Sequence, residues 1–574
     1  MNRTEQTIAK TEAVADSGMV TAMHPLAAEA GVEILHAGGS AADAAVATAL
    51  AIGVVEPFMS GLGGCAYAVS YDTKTDRTVC YDGSAVAPRE TQEDMFELAD
   101  HATTSLGLYG WRATAGDASE TGYRAPTVPG ALAALKTLHD GSGVLPWREL
   151  FVPAIRLAEG GYAVDEYFFV QSAASASRLG PFDETMAIFF HEDGTPRVPS
   201  FHGARPERLL QPELAKTLSI LADEGPDVFY SGRFAASTVD FLRGHEGVLT
   251  LDDFETYRAR VLEPLVVPYR DCKIACLPEN SGGPTVAFAL QLLEGYALES
   301  FSHDSITRLH LVAEALRMAY TDRFRFLGDP GTVPVPLDGL TATAYVDERR
   351  KLIDANGPTI EPLPPGDPWR YDTRAGVSGE GSGDATGQHT THLNVIDRER
   401  NMVALTATLG ARFGSGITVP GLGVVLNNGM MWYDPEPGHI SSISPGKRAL
   451  HAAAPCLLFD SDGAFAAVGS PGARKIMSAV LQVLLNLVDH DMGIQEAIAA
   501  PRIHREAVSE VLIDGRFPSE VADGLRERGY DVTTALESFM SSHFGRPSGI
   551  LIDWDEARLR GGVEPYRASA AIGY

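Results

Sequence analysis

From Met19 the chain runs MVTAMHPLAAEAGVEILHAGGSAADAAVATALAIGVVEP, where apolar residues recur at helical spacing and the Gly38-Gly39 break divides two helices. Their alanine content predicts helices that pack closely and are buried. SGLGGCAYAVSYD (60–72) reads as a turn feeding a strand, and TVCYDGSAVAP as a second strand of alternating character. Residues 130–180 and 207–260 carry amphipathic helical periodicity punctuated by Gly and Pro. LVVPYRDCKIACLP reads as a further strand, and HLVAEALRMAYTDRFRFLG (310–328) as a helix.

The pattern changes at 356–389, which is rich in Gly, Pro, Asp and Ser. Such a stretch cannot bury enough surface to offset its ordering entropy, so a mobile linker is expected from about 366 to 389. It stops at Thr390. Beyond it, TTHLNVIDRERNMVALTATLG predicts two strands around the turn DRERN, and GLGVVLNN, APCLLFD and AFAAVGS predict three more. ARKIMSAVLQVLLNLVDHDMG (473–493) reads as a long buried helix. A helix-rich first part (1–389) is thus joined by a polar linker to a strand-rich second part (390–574).

Composition narrows the function classes. With 75 acidic against 46 basic side chains the net charge is −29, and no basic run interleaves with aromatics. Nucleic acid and anionic membrane surfaces are therefore excluded as partners. Hydrophobic residues at 45% and charged residues at 21% over 574 positions describe a soluble globular protein of two to four domains. Cys65, Cys80, Cys272, Cys276 and Cys456 are odd in number and scattered, unlike a disulfide framework. The C-x3-C pair at 272 and 276 has no second pair to complete a zinc site. No secretory or membrane-spanning apolar run is present, so a cytoplasmic location is expected.

Several motifs fall away on inspection. Gly381, Gly383 and Gly387 are one residue too far apart for a dinucleotide fingerprint and do not lie between a strand and a helix. Gly469-Ser470-Pro471-Gly472 resembles a nucleophile elbow but has Val468 where a glycine is needed, and reads better as a turn of backbone donors. His389 and His392 sit in strand-like sequence, where i and i+3 point to opposite faces, so no metal site is expected there. The boundary at Thr390 remains, where a polar linker meets a strongly patterned strand.

That boundary gains meaning from its surroundings. GQHTTHLNVIDRERNMVALTATLGARFGSG, GLGVVLNNGM, PGKRAL and GSPGARKI, together with SGLGGCAY, TVPG (127–130), PAIRLAEGGYAV, NSGGPT and AYTDRFRFLGDP, strongly resemble the γ-glutamyltransferase family of N-terminal nucleophile hydrolases. The resemblance runs from about Met19 to Tyr574. It implies an α/β fold of the four-layer αββα type, and self-cleavage between His389 and Thr390 into a large and a small subunit that stay together as an αβ heterodimer, able to pair further. No cofactor and no metal is implied. The chemistry fits the layout: a threonine hydroxyl needs an adjacent base, and the α-amine that cleavage liberates, with a pKa of roughly 8, supplies it. By the resemblance, Thr408 hydrogen-bonds the nucleophile, while the backbone N–H groups of Gly472 and Ala473, at a helix start, form the oxyanion hole.

The positions that hold a γ-glutamyl group in the family differ here. The family's carboxylate-clamping Arg aligns with Ser84, its paired Ser with His451 and Ala452, its amine-holding acid with Trp432, and an Asn with Gly410. Losing a bidentate Arg contact removes roughly 1.5–3 kcal/mol of charge-assisted hydrogen bonding. This pattern looks like the family's acylase branch, so the expected activity is hydrolysis of a small amide with a carboxylate-bearing acyl group, anchored by Arg412 in a pocket shaped by Trp432, Tyr433, His451 and Asn428. The alternatives are a true γ-glutamyltransferase or glutathione hydrolase with altered contacts, and an uncleaved, non-catalytic scaffold.

Overall fold

Strands Thr391–Ile396 and Met402–Thr408 are buried at every residue, as strands covered on both faces must be. The computed structural model that shows this describes residues 8–103, 111–200, 203, 205–354, 357–358, 363–372, 390–506 and 510–574. The two strands lie at the centre of a seven-stranded antiparallel sheet ordered Ala570–Gly573, Met19–Ala22, Thr391–Ile396, Met402–Thr408, Cys65–Asp72, Arg77–Gly83, Arg260–Leu262. A second antiparallel sheet of seven strands is ordered Ala13–Ala15, Arg558–Val563, Ser548–Asp553, Ala464–Gly469, Cys456–Phe459, Cys272–Cys276, Leu265–Tyr269. Strands 391–396 and 402–408 of the first sheet pack on 464–469 and 548–553 of the second.

Helices cover the two outer faces. Pro25–His36, Ala41–Val55 and Ala131–Ser142 pack on the first sheet, and Gly283–Leu293, Lys475–Val488 and Ile494–Ala499 on the second. Ala41–Val55 is buried at every residue except Gly53, because it is apolar on all sides. It starts at a capping box in which Ser40 and Asp43 satisfy each other's backbone N–H groups. The result is the expected four-layer αββα sandwich. Each sheet interleaves strands from before and after position 390, so the two parts of the chain form one folded unit.

Several local expectations change. Met19–Ala22 is a strand, because it pairs on one side with Asn394–Ile396 and on the other with Ala570–Gly573. The helix begins only at Pro25, where the His24 side chain caps it by accepting from the Leu26 N–H. LVVPYRDCKIACLP is a hairpin of two strands that turns at Arg270, whose φ is +51°. GLGVVLNN contributes only Val424–Val425. The helix expected from 473 starts at Lys475, because Gly472 and Ala473 adopt φ of +145° and +48°. The terminal strands Ser548–Asp553, Arg558–Val563 and Ala570–Gly573 had no sequence expectation. Of the segment 356–389, residues 357–358 and 363–372 are described: Leu363 is buried, and Arg349 donates to the Pro364 carbonyl at 2.9 Å. Residues 373–389, including His389, lie outside the described residues. The five cysteines are free, and among the described residues no helix is long and apolar enough to cross a membrane.

Candidate active site

Thr390 stands immediately before the central strand Thr391–Ile396. The register Thr391↔Ala407 sets Thr408, at the end of the neighbouring strand, beside it. The Thr390 hydroxyl donates to the Thr408 hydroxyl at 3.5 Å, and the Gly410 N–H donates to the same Thr408 oxygen at 2.9 Å. Side chains two apart share a face of a strand, so Thr406 joins them. These residues and Gly410 line one side of a cleft of about 380 Å³. Tyr67, opposite Thr406 on the neighbouring strand, lines it with them, and Met431, Trp432, His451, Ala452, Ala453, Ala473 and Ile476 complete the lining.

The turn Gly469-Ser470-Pro471-Gly472-Ala473 comes off strand Ala464–Gly469 and brings Ala473 into this cleft. Among the described residues neither the Gly472 nor the Ala473 N–H meets a backbone acceptor, and of the two residues Ala473 lines the cleft. The turn is clamped from behind. Ser470 Oγ accepts the Arg546 N–H at 2.9 Å, and the Pro471 carbonyl accepts it at 3.1 Å. A side chain on Gly472 would be strained by its φ and would meet the Gly545 Cα at 2.9 Å. Ala473 holds a left-handed conformation that costs a non-glycine residue on the order of 1–2 kcal/mol. Backbone strain of this kind collects at functional turns.

Directly beneath Gly469 lies His392, whose ring a Gly469 Cβ would meet at 2.1 Å. Its Nδ1 bonds Thr406 Oγ1 at 2.9 Å and its Nε2 bonds Asn394 Oδ1 at 3.0 Å. Burial lowers its pKa to about 4, so His392 is a neutral structural spacer between the sheets. On the far side, Arg474 pairs with Glu506 at 2.7 Å, and Glu506 reaches His504 and through it Ser478 of the following helix. This chain of contacts fixes the residue immediately after the turn.

The positions singled out for departing from the family pattern converge in space. Gly410, Trp432, His451 and Ala452 all line the cleft that contains Thr390. Ser84 is fully buried, with its hydroxyl bonded to Asp82. Burial acts to raise the Asp82 carboxyl, but Arg260, whose Nε lies 2.9 Å away, together with further neighbouring cations and the Ser84 hydroxyl holds it below its usual range. Arg260 also pairs with Glu279 at 2.8 Å, so its charge is already matched by two carboxylates.

Three of the expected substrate contacts lie elsewhere. Arg412 does not line the cleft: its guanidinium donates to Gln171 Oε1 at 3.2 Å, and its carbonyl accepts from Arg178. The Tyr433 hydroxyl donates to the Lys447 carbonyl at 2.7 Å inside the core. Asn428 is a fully buried brace, accepting from the Ala411 N–H and donating to the Glu120 carbonyl, both at 2.8 Å. In their place the cleft recruits Tyr67, Met431, Ala453 and Ile476. Thr406 was legible from strand alternation with Thr408, whereas Tyr67 enters only through its cross-strand register with Thr406.

Among the described residues, Asp434, Glu436 and His439 lie close enough to share a cation. Arg112 already occupies Glu436 at 3.0 Å and His439 bonds Asp434 at 2.6 Å, so the group satisfies itself.

The family model for Gamma-glutamyltranspeptidase matches residues 27–574. The "Glutathione hydrolase proenzyme" of Bacillus subtilis (strain 168) is 34% identical over 564 residues, covering 98% of this chain and 92% of the relative. The "Acylase ACY 1 proenzyme" of Pseudomonas sp. (strain V22) is 36% identical over 533 residues, covering 92% and 89%. The crystal structure of a cephalosporin acylase from Bacillus halodurans superposes with a TM-score of 0.85 at 27% identity, covering 100% of this chain and 99% of that one.

Proposed function

The chain belongs to the gamma-glutamyltranspeptidase family, and from that premise we propose that it is an autoprocessing amidohydrolase with Thr390 as its nucleophile. Attack of the Thr390 hydroxyl on the His389 carbonyl, followed by hydrolysis of the resulting ester, cuts the chain and frees the Thr390 α-amine. In the cut protein that amine takes the hydroxyl proton as Thr390 attacks a substrate amide, and the proton passes to the leaving amine. Water then cleaves the acyl-enzyme ester, with the same amine accepting and returning its proton. Thr408 orients the attacking oxygen, and the N–H groups of Gly472 and Ala473 meet the oxyanion. The observation that carries the reading is the Thr390–Thr408 contact, inside a cleft that Ala473 of the turn also lines. Relatives named as proenzymes support the processing step.

The acyl group follows the acylase reading. The glutamyl-binding positions Trp432, His451 and Ala452 line the cleft, Arg260 is paired with Asp82 and Glu279, and no lining residue is charged. The carboxylate-bearing acyl group expected from Arg412 loses its anchor, since Arg412 turns toward Gln171. A γ-glutamyl hydrolase remains the second reading, supported by the B. subtilis relative.

A denaturing gel with N-terminal sequencing tests the core of the proposal. Two fragments, the smaller beginning at Thr390, are expected. A chain that stays whole yet hydrolyses amides would sink it. Turnover of γ-glutamyl-p-nitroanilide above that of simple acyl anilides would favour the second reading.

A further inference from the structure

We infer that His451 selects the acyl group, and that the cleft takes amides whose acyl chain ends in an uncharged hydrogen-bonding group, such as a primary amide or a hydroxyl, while rejecting carboxylates. The inference rests on the reading of the cleft as the acyl site of the Thr390 nucleophile. His451 lies flat on the Tyr67 ring, with centroids 3.8 Å apart and planes within 22°. Its side chain lines the cleft and is only 4% exposed. Nδ1 is buried without a hydrogen-bond partner among the described residues. Its backbone, by contrast, is held on both sides: the N–H donates to Asn280 and the carbonyl accepts from Arg323. The ring is therefore fixed in place with its polar capacity unspent, which a buried group rarely is unless a ligand or water completes it.

The charge state follows from what faces the ring. Burial lowers its pKa to about 3, with Arg323, Arg260 and Arg448 adding to the effect and Asp82 opposing it. A neutral imidazole offers one donor and one acceptor, and a group this weakly basic cannot serve as the proton carrier at neutral pH. The other lining residues are Thr, Gly, Ala, Met, Ile, Tyr and Trp, none of them charged. Cleavage adds the Thr390 amine as a charge at the reacting carbonyl. An anionic acyl terminus would lose its water and meet no charged side chain in the cleft lining, whereas a neutral polar terminus exchanges water for imidazole at little cost.

Three p-nitroanilides of matched shape test this on the processed protein: glutaramoyl (neutral, polar), glutaryl (anionic) and 5-methylhexanoyl (apolar). Glutaramoyl is expected to exceed glutaryl in kcat/KM by about tenfold or more, and 5-methylhexanoyl by roughly three- to tenfold, the worth of one hydrogen bond. His451→Phe, which keeps an aromatic ring against Tyr67, should bring the glutaramoyl-to-methylhexanoyl ratio close to one, and His451→Gln should restore part of it. In the wild-type protein the ratio should stay flat from pH 5 to 9. Glutaryl turnover equal to or above glutaramoyl overturns the inference, as does a ratio untouched in His451→Phe. Calorimetric binding of 5-oxohexanamide against 5-oxohexanoate to the wild-type protein needs neither a variant nor turnover. Tighter binding of the amide with no anilide hydrolysed upholds the selection and sinks the nucleophile reading. Equal binding with brisk hydrolysis does the reverse.

Discussion

The hydroxyls of Thr390 and Thr408 face each other at 3.5 Å from the ends of two adjacent, wholly buried strands. The contact is longer than a settled hydroxyl hydrogen bond, and catalytic bonds commonly tighten only when substrate is bound. Thr408 is held independently by the Gly410 N–H, so the pair is preorganised from one side and adjustable from the other.

Replacing Thr390 with Ala removes the attacking oxygen from both reactions. The variant should stay one uncut chain and lose amide hydrolysis altogether, while Thr390→Ser should cut more slowly and retain measurable turnover. Gel analysis and anilide release are the readouts.

Thr408→Val keeps the volume and β-branching but deletes the hydroxyl that meets both Thr390 and the Gly410 N–H. Each lost hydrogen bond is worth about 0.5–1.5 kcal/mol, so kcat should fall by about ten- to a hundredfold with KM little changed. Thr408→Ser should recover most of it.

Gly472→Ala puts a Cβ against Gly545 at a φ of +145°. The strain, on the order of 1–3 kcal/mol, would twist the turn and carry an oxyanion donor out of line. A fall in kcat of about a hundred- to a thousandfold is expected, with the melting temperature only slightly lowered; unchanged kcat would remove the turn from the mechanism.

Glu56 lies on the helix side of the central strand, where it accepts from the Thr391 hydroxyl at 3.4 Å. Burial raises its pKa from a usual 4.5 to about 7, against the pull of Arg567. The folded protein therefore keeps a proton that the unfolded chain has released, so this contribution to stability is complete below about pH 4.5 and is lost as pH rises through about 7. Thermal melts from pH 5 to 8.5 should show Glu56→Gln gaining on the wild type as pH rises; a constant difference between the two would refute the assignment.

Each sheet combines strands from the two sides of position 390. Once cut, the fragments should co-elute as one species on a sizing column and separate only in denaturant, because parting them would break both sheets.

Apolar periodicity in the sequence located the helices 25–55, the helix after Gly472 and the paired strands around DRERN, since burial phase is a local signal that neighbouring residues carry. The motifs likewise singled out Thr390, Thr408 and Ala473, which share the cleft, and Trp432, His451 and Ala452, which line it. Met19–Ala22 was beyond that reading: the same four residues suit a helix or a strand, and only the partners Asn394–Ile396 and Ala570–Gly573, distant in sequence, decide. Arg412, Tyr433 and Asn428 were beyond it for a related reason. Proximity in sequence to a nucleophile does not say which way a side chain faces, and Gln171, the Lys447 carbonyl and the Ala411 amide claim all three. The sequence by itself determined which residues could do chemistry. Tertiary structure alone decided which share a cleft, because that depends on strand register and on hydrogen-bond partners hundreds of residues away, which no local pattern encodes.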